Sequence, residues 1–254
     1  MTRIRVVALN TLREAIRDKA LYVLAGFALA AIFGSKALGW ISVGQDIKIV
    51  KDICLAAMSV FGALTAIFVG TNLLYKEIDK KTLYTILAQP MERYEFVVGK
   101  YFGLAALLLL DILFMTAVTA IWVLVLGGTL DLVFFHAVLL IYVKLLLITA
   151  FSVLLSALAS PILGAVIVFC VYVFGHATEI FRDLPPQIAG TPAEPVLKVV
   201  YYVVPNLSLM DLHAHAANQV PVNALYVLWA AVYGLGWTAA LLALACAAFE
   251  GKEL

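Results

Sequence analysis

Apolar residues gather in six long runs, 20–43, 54–75, 97–126, 132–157, 162–177 and 224–249, and the polar residues fall mostly between them. About 20 helical residues cross the roughly 30 Å hydrocarbon layer of a bilayer, and every run but the fifth reaches that length. The runs are continuous rather than alternating, which predicts helices and not the strands of a barrel. The fifth run is short and is expected to start at Pro161. Residues 2–19 follow a different period. Ile4, Ala8, Leu12, Ala15 and Ile16 recur at three- and four-residue intervals, and Arg3, Asn10, Arg13, Glu14 and Arg17 take the other side. A helix with one basic and one apolar face is expected to lie in the membrane interface. An ordinary solvated helix would carry the same pattern.

Between the second and third runs lies a polar island, 76–96. Ten of the sixteen residues from Lys76 to Met91 are polar, charged or Pro. The spacing predicts a short helix over 78–88, with Leu83, Ile86 and Leu87 on one face and Lys81, Thr85 and Ala88 away from it. Asp79 and Lys80 sit one turn earlier, where they could form a charged rim. Pro90 ends that helix and pushes Gln89 toward an extended conformation. Glu92–Tyr101 then restarts as the helix that becomes the third span. A loop that merely orients the spans needs basic charge, but neither this apolar face nor a proline corner.

Composition changes the picture only by excluding a soluble core. The chain has 254 residues, 65% hydrophobic and 13% charged, with a mean hydropathy of +1.05. Soluble domains have about 45–50% apolar and about 25% charged residues. A net charge of +1 gives no sign of nucleic-acid binding. The three cysteines, Cys54, Cys170 and Cys246, lie in or beside separate runs, with no metal-ligand spacing, and read as small packing residues. Ala28-Leu29-Ala30 mimics a signal-peptidase site, but the basic stretch ahead of it is too long and the apolar run continues past it.

Lysine and arginine set the orientation. With both ends on one side, that side holds eleven of the 17, the other side holds Lys48, Lys51, Arg182 and Lys198, and Lys36 and Lys144 fall inside spans. Both termini and the polar island are therefore expected in the cytoplasm, in a multi-pass protein of the cell's inner (plasma) membrane. The outer connections are 44–53, a tight turn at 127–131, and a long segment, 178–223, that its prolines keep from being one helix. Within it 196–204 is apolar but too short to cross, at about 14 Å.

Two charges lie deep inside spans, Asp111 in the third and Lys144 in the fourth. If the two helices hug each other around a turn near Gly128, positions adding to about 256 face each other, and these two nearly do. Each alone would cost about 2.5–3.5 kcal/mol. An Asp111–Lys144 ion pair is therefore expected, either as a clamp between helices or as a polar point on a substrate path. His213 and His215, with Met210 and Asp211 nearby, form a small outer cluster that could in principle take a transition metal; no metal site is assigned to them. His136 and His176 sit singly near span ends, where polar-tipped rings are common. Small residues recur every fourth position at Gly26, Ala30 and Gly34, at Gly62, Ala66 and Gly70, and at Ala239, Ala243 and Ala247. Such stripes let helices approach closely, within one subunit or between two.

No catalytic constellation appears. Gly99-Lys100 is followed by Tyr101 and preceded five positions earlier by Tyr94, so it is not a P-loop. No GxSxG or HExxH motif is present. The layout resembles the membrane subunits of ABC-type exporters of the second class, type V, which includes the G-subfamily exporters and the permease of nitrous-oxide-reductase maturation. The resemblance is carried by LLYKEIDKKTLYTILAQPMERYEFVVGKYFG, residues 73–103, where Glu77, Lys80, Lys81, Thr82, Leu83, Pro90, Arg93, Gly99 and Lys100 match the family pattern. Tyr202-Val203-Val204-Pro205-Asn206-Leu207 resembles the outer Pro-Asn motif of bacterial members.

The resemblance implies a single transmembrane permease domain, 1–254. The expected fold class is an all-α integral membrane protein with six transmembrane helices, an N-terminal amphipathic interfacial helix, and a cytoplasmic coupling helix between spans two and three. It implies a non-enzymatic subunit of an ATP-driven exporter. That subunit would work as a homo- or heterodimer in membrane lipid, with soluble P-loop ATPase subunits that hold the ATP and Mg. Glu77, Lys80, Lys81, Thr82, Leu83, Ile86, Leu87, Pro90 and Arg93 would couple to them. This chain departs from fused G-subfamily members, which carry the ATPase on the same polypeptide, and lacks the large loop some relatives have between spans one and two. A secondary transporter or channel would instead need broken spans and a charged midplane site, and a membrane enzyme or scaffold would have to rest on Asp46, Asp52 and the histidines.

Overall fold

A backbone in hydrocarbon has to satisfy its own hydrogen bonds, so continuous apolar runs fold as helices. The computed structural model of the protein describes residues 2–39, 46–79, 92–178 and 204–250, and all their regular structure is helical. In chain order the helices are α1 (Thr2–Ile16), α2 (Lys19–Gly39), α3 (Asp46–Asp79), α4 (Arg93–Val125), α5 (Leu132–Leu158), α6 (Pro161–His176), α7 (His213–Asn218) and α8 (Ala224–Glu250). A 3-10 turn, Ser208–Met210, precedes α7.

Four helices among the described residues are long and apolar enough to cross a membrane: Asp46–Asn72 of α3, then α4, α5 and α8. The α1–α2 pair, bent by 63°, makes a fifth if it is one span. Two boundaries differ from the sequence reading. α3 already begins at Asp46, inside the expected 44–53 connection, and runs on to Asp79. Charges alone do not stop a helix, and 46–53 contains neither Gly nor Pro. α6 has 16 residues and a length of about 24 Å, short of the roughly 30 Å hydrocarbon layer.

α5 is the central helix. Leu140, Ile141, Val143, Lys144, Leu145, Leu147, Ile148, Thr149 and Ala150 are all buried, and only Tyr142 and Leu146 keep a partly exposed face over that stretch. α3 and α8 pack most extensively on it, and α4 and α6 complete the ring. One end of the bundle carries the α4–α5 turn and the starts of α3 and α8 (the turn end). The opposite end carries α1, the start of α4 and the end of α8 (the terminal end).

α1 lies along the first turns of α4 with Ile4, Val7, Ala8, Thr11, Leu12 and Ala15 inward, while Ile16, expected on that face, is 38% exposed. The close approach depends on a pair of glycines. A Cβ on Gly99 would stand 2.7 Å from Val7 Cβ, and one on Gly103 would stand 2.6 Å from Thr11 Cβ and 2.7 Å from the Ala8 carbonyl. Of the stripes read from the sequence, Gly62 and Gly70 close on Leu145 and Ser152 of α5, so that stripe packs within the subunit. Gly26 and Gly34 meet nothing within 4 Å, and Ala239, Ala243 and Ala247 are likewise exposed.

Gly103→Val should therefore lower the thermal stability of the detergent-solubilised protein by about 1–3 kcal/mol, the usual cost of overpacking. Gly236→Ala, facing open space inside α8, should leave the melting temperature unchanged or raise it slightly, alanine being the better helix former; equal melting of the two variants would mean that α1 is not held against α4.

Candidate functional site

Between α3 and α6 runs a groove of about 480 Å³ lined by Leu64, Ile67, Phe68, Thr71 and Asn72 on one wall and Pro161, Ile162, Ala165, Val166 and Phe169 on the other. Its few polar side chains are turned back on their own helix. The Thr71 hydroxyl donates to the Ile67 carbonyl at 2.8 Å, and the Asn72 amide to the Phe68 carbonyl at 2.8 Å. What faces the groove is therefore apolar, which suits acyl chains or other apolar matter and gives no handle for an ion.

The groove ends, toward the turn end, in a polar cluster. Ser59 of α3 and Tyr172 of α6 are joined hydroxyl to hydroxyl at 3.4 Å. One helical turn further, the Tyr172 ring lies 4.4 Å from the His176 ring. His176 Nδ1 is 2.8 Å from the Tyr172 carbonyl, which can only accept, so that nitrogen carries the proton. Its Nε2 is left to accept from the Lys144 ammonium at 3.2 Å. Lys144 and His176 meet because they stand at one depth: each lies about 21–22 Å from the terminal end of its helix.

The remaining members come from the 204–218 segment, which folds back into the bundle. Its turn reaches Gly234, where Met210 Sδ would stand 2.9 Å from an added Cβ, about 15 Å along α8 from its start. The crossing over the end of α6 requires Gly175, since a Cβ there would stand 2.6 Å from Leu207 Cγ and 3.0 Å from the Pro205 carbonyl. The Leu207 N–H donates to the Gly175 carbonyl at 2.9 Å. Asn206 Oδ1 accepts from the Thr178 hydroxyl at 2.7 Å, the Ser208 hydroxyl at 2.7 Å and the Ser208 N–H at 3.0 Å, and the Asn206 N–H donates to the Tyr233 hydroxyl at 2.9 Å. The described part of the Pro-Asn motif is thus the knot of this re-entrant turn. It carries Asp211 to within 4.0 Å of His176 Nε2 and 3.0 Å of His213 Nδ1. Burial by itself raises the Asp211 carboxyl, but the hydrogen bond from His213 and the charges of Lys144 and His213 outweigh it and hold the group well below the usual carboxylate range.

The expected Asp111–Lys144 ion pair is not formed. Lys144 is fully buried and bonded to His176, and Asp111 Oδ2 has no hydrogen-bond partner. The reason is register. Tyr142 donates to the Ala105 carbonyl at 3.1 Å and Tyr101 to the Leu146 carbonyl at 3.4 Å, and each contact joins positions whose numbers add to 247, where Asp111 and Lys144 add to 255. The hairpin argument assumes that α4 and α5 hug each other from their turn; instead α5 sits centrally and slides against α4 by about two turns. His176 and Asp211, which complete the Lys144 site, give no sequence signal beyond being polar near the end of a short span and in a Pro-rich connection. His213 turns inward and His215 outward, as residues two apart on a helix do. Among the described residues no group of three or more His, Cys, Asp or Glu side chains gathers as a metal site.

At the terminal end, Arg93 opens α4 and its guanidinium donates to the Glu250 carbonyl at 3.0 Å, tying α4 to the end of α8. Phe96 and Phe249 stack beside it, centroids 6.1 Å apart. Arg3 reaches Glu95 at 3.8 Å, and Lys100, 2% exposed, reaches Glu14 at 3.7 Å. Glu77 belongs to the last turn of α3. Lys80, Lys81, Thr82, Leu83, Ile86, Leu87 and Pro90 lie outside the described residues, as do Tyr202 and Val203 of the outer motif and the 196–201 stretch.

A family model, ABC-2 family transporter protein, matches residues 5–254. The chain belongs to that family. It is a multi-pass membrane protein, the transmembrane component of an ABC transporter and not itself catalytic, in a family that normally works with ATPase partners. No curated protein matches the chain. In this ABC-2 permease the apolar groove and the polar cluster lie end to end between α3 and α6.

Lys144→Met and Asp211→Leu in this permease should show coupled effects on thermal stability, with an interaction energy of about 0.5–3 kcal/mol in a double-mutant cycle. Exchanging the charges of Asp111 and Lys144 should not restore what Lys144→Asp loses, whereas full rescue by the exchange would reinstate the direct pair. The acid side offers a second check. A carboxyl depressed in the folded state stabilises at pH above its unfolded value, near 3.9, and that contribution is lost as pH falls below about 4. Acid unfolding of Asp211→Asn should accordingly fall off less steeply in that range than the wild type; superimposable curves would show that the folded state does not stabilise the Asp211 anion.

Proposed function

We propose that this chain is one permease half of an ATP-driven exporter of the type V, G-subfamily-like class, working as a homo- or heterodimer with separate soluble ATPase subunits that hold the ATP and Mg. The observation that carries the reading is membership of the ABC-2 family over residues 5–254 in a chain whose 254 residues contain no P-loop. On this reading the membrane is the cell's inner membrane, both termini are cytoplasmic, and the terminal end faces the ATPases. The coupling segment 76–96 links the end of α3 to the start of α4 in sequence. The contacts Arg93–Glu250, Arg3–Glu95 and Lys100–Glu14 support a lever role, because they tie α1, α4 and α8 into one block at the base of that segment. A push on the segment would move the start of α4 and everything tied to it.

The groove between α3 and α6 is then one wall of the pathway, and two subunits would enclose it. The Lys144–His176–Asp211–His213 cluster closes the path toward the outer face. An apolar groove below a charged plug suits an apolar or amphipathic cargo that is admitted from the inner side and released when the re-entrant turn moves. The exposed stripe of Gly26, Ala30 and Gly34 is a candidate for the seam between subunits.

A tagged full-length permease should co-purify with a soluble P-loop ATPase from its native membrane and stimulate its hydrolysis on reconstitution. Leu83→Glu and Ile86→Glu should leave the permease inserted and abolish that stimulation. Undiminished stimulation in either variant would remove the lever. Ala165→Trp, which fills the groove, should block transport while leaving ATPase assembly intact; unimpaired transport in that variant would move the path elsewhere.

A further inference from the structure

A second cavity lies at the turn end, away from the groove. It measures about 590 Å³, and its polar wall is Lys36 from α2, Asp46, Lys48 and Lys51 from the first turns of α3, Thr129 from the α4–α5 turn, and Gln219. Among the described residues three lysines line it, against one aspartate. Lys51 is 1% exposed, and its ammonium meets Asp131 Oδ2 at 3.4 Å, beyond the 2.7–2.9 Å of a close charged hydrogen bond. With Asp131 counted, three cations stand against two carboxylates among the described residues. Lys36 and Lys48 are exposed on the cavity rim. At about 30 Å³ per water the space would hold on the order of 20 water molecules, ample for a phosphate and the polar group it carries.

Below the rim the surface changes character abruptly. One turn along α2 from Lys36, Phe33 is 51% exposed and meets Trp122 of α4 edge-on, ring centroids 5.1 Å apart. These side chains face hydrocarbon in a protein whose long apolar helices cross the membrane. A basic cavity at the level where lipid headgroups lie, directly above an apolar wall where acyl chains lie, is a juxtaposition that an anionic phospholipid satisfies at both ends. Lysine serves such a ligand as a compact point charge on a flexible stem, adaptable to a phosphate in several poses.

We infer that Lys36, Lys48 and Lys51 form a binding site for a phosphate-bearing anion, the headgroup of an anionic phospholipid or free phosphate, at the turn end of the permease. The site does not depend on the ATPase reading. Native mass spectrometry of the full chain, purified with a mixture of phosphatidylglycerol and phosphatidylcholine, tests the lipid source. Phosphatidylglycerol should be retained over phosphatidylcholine, and retention should fall about fivefold for each lysine removed in Lys36→Gln and Lys48→Gln. These two lysines are exposed, so the variants keep the fold. An Arg5→Gln control at the terminal end should retain the lipid as the wild type does. Melting with inorganic phosphate against chloride at equal ionic strength tests the free anion: a phosphate-specific stabilisation lost in Lys36→Gln/Lys48→Gln, without selective lipid retention, assigns the site to free phosphate. Equal retention by wild type and double variant with no phosphate-specific shift, or an equal loss in the Arg5→Gln control, would overturn the site.

Discussion

A lysine in the middle of the central helix is the constraint to which the rest of the bundle answers. Lys144 is wholly buried among α3, α6 and α8, at a depth where an unpartnered charge costs about 2.5–3.5 kcal/mol even on forgiving scales. α6 supplies an acceptor by ending at Lys144's depth rather than continuing to the membrane surface. A balancing negative charge then has to come from outside the long helices. The 204–218 segment brings Asp211 down, and Gly175 and Gly234 leave the space for it to pass. The short helix, the glycines and the re-entrant turn are one solution to one electrostatic problem.

That solution also separates two chemistries along α3 and α6. Toward the terminal end the two helices leave an apolar groove whose polar side chains bond to their own backbone. Toward the turn end they are stitched by Ser59 and Tyr172 and then by the charged cluster. Buried polar networks of this kind specify one arrangement strongly while satisfied and are costly when broken. At the terminal end the contacts are of another sort, with α1 pressed onto Gly99 and Gly103 and α4 tied to α8, so that this end behaves as a block.

Much of this was legible in the chain. The all-helical membrane class follows from runs too long and too continuous to be anything else. The inward side of α1 follows from its three- and four-residue spacing, apart from Ile16. The boundary differences share a cause: charged residues flank an apolar run without ending its helix, which needs Gly, Pro or a cap to stop. The Asp111–Lys144 expectation failed for a different reason. It treated two consecutive helices as a straight hairpin, and the register between helices is chosen by ridges, grooves and neighbours, none of which is written in either helix alone. His176 and Asp211 stand thirty-two and sixty-seven positions from Lys144, and nothing local marks them.

The sequence by itself determined that the chain lives in a bilayer, roughly where its long described helices lie, and that Lys144 would need a partner, because hydropathy and desolvation act on each segment regardless of its neighbours. Which partner Lys144 takes was decided only by the tertiary structure. It set α5 at the centre, shifted α4 against it, ended α6 at Lys144's depth and folded Asp211 inward. Those choices depend on how whole helices pack, and packing is a property of surfaces that exist only once the helices have met.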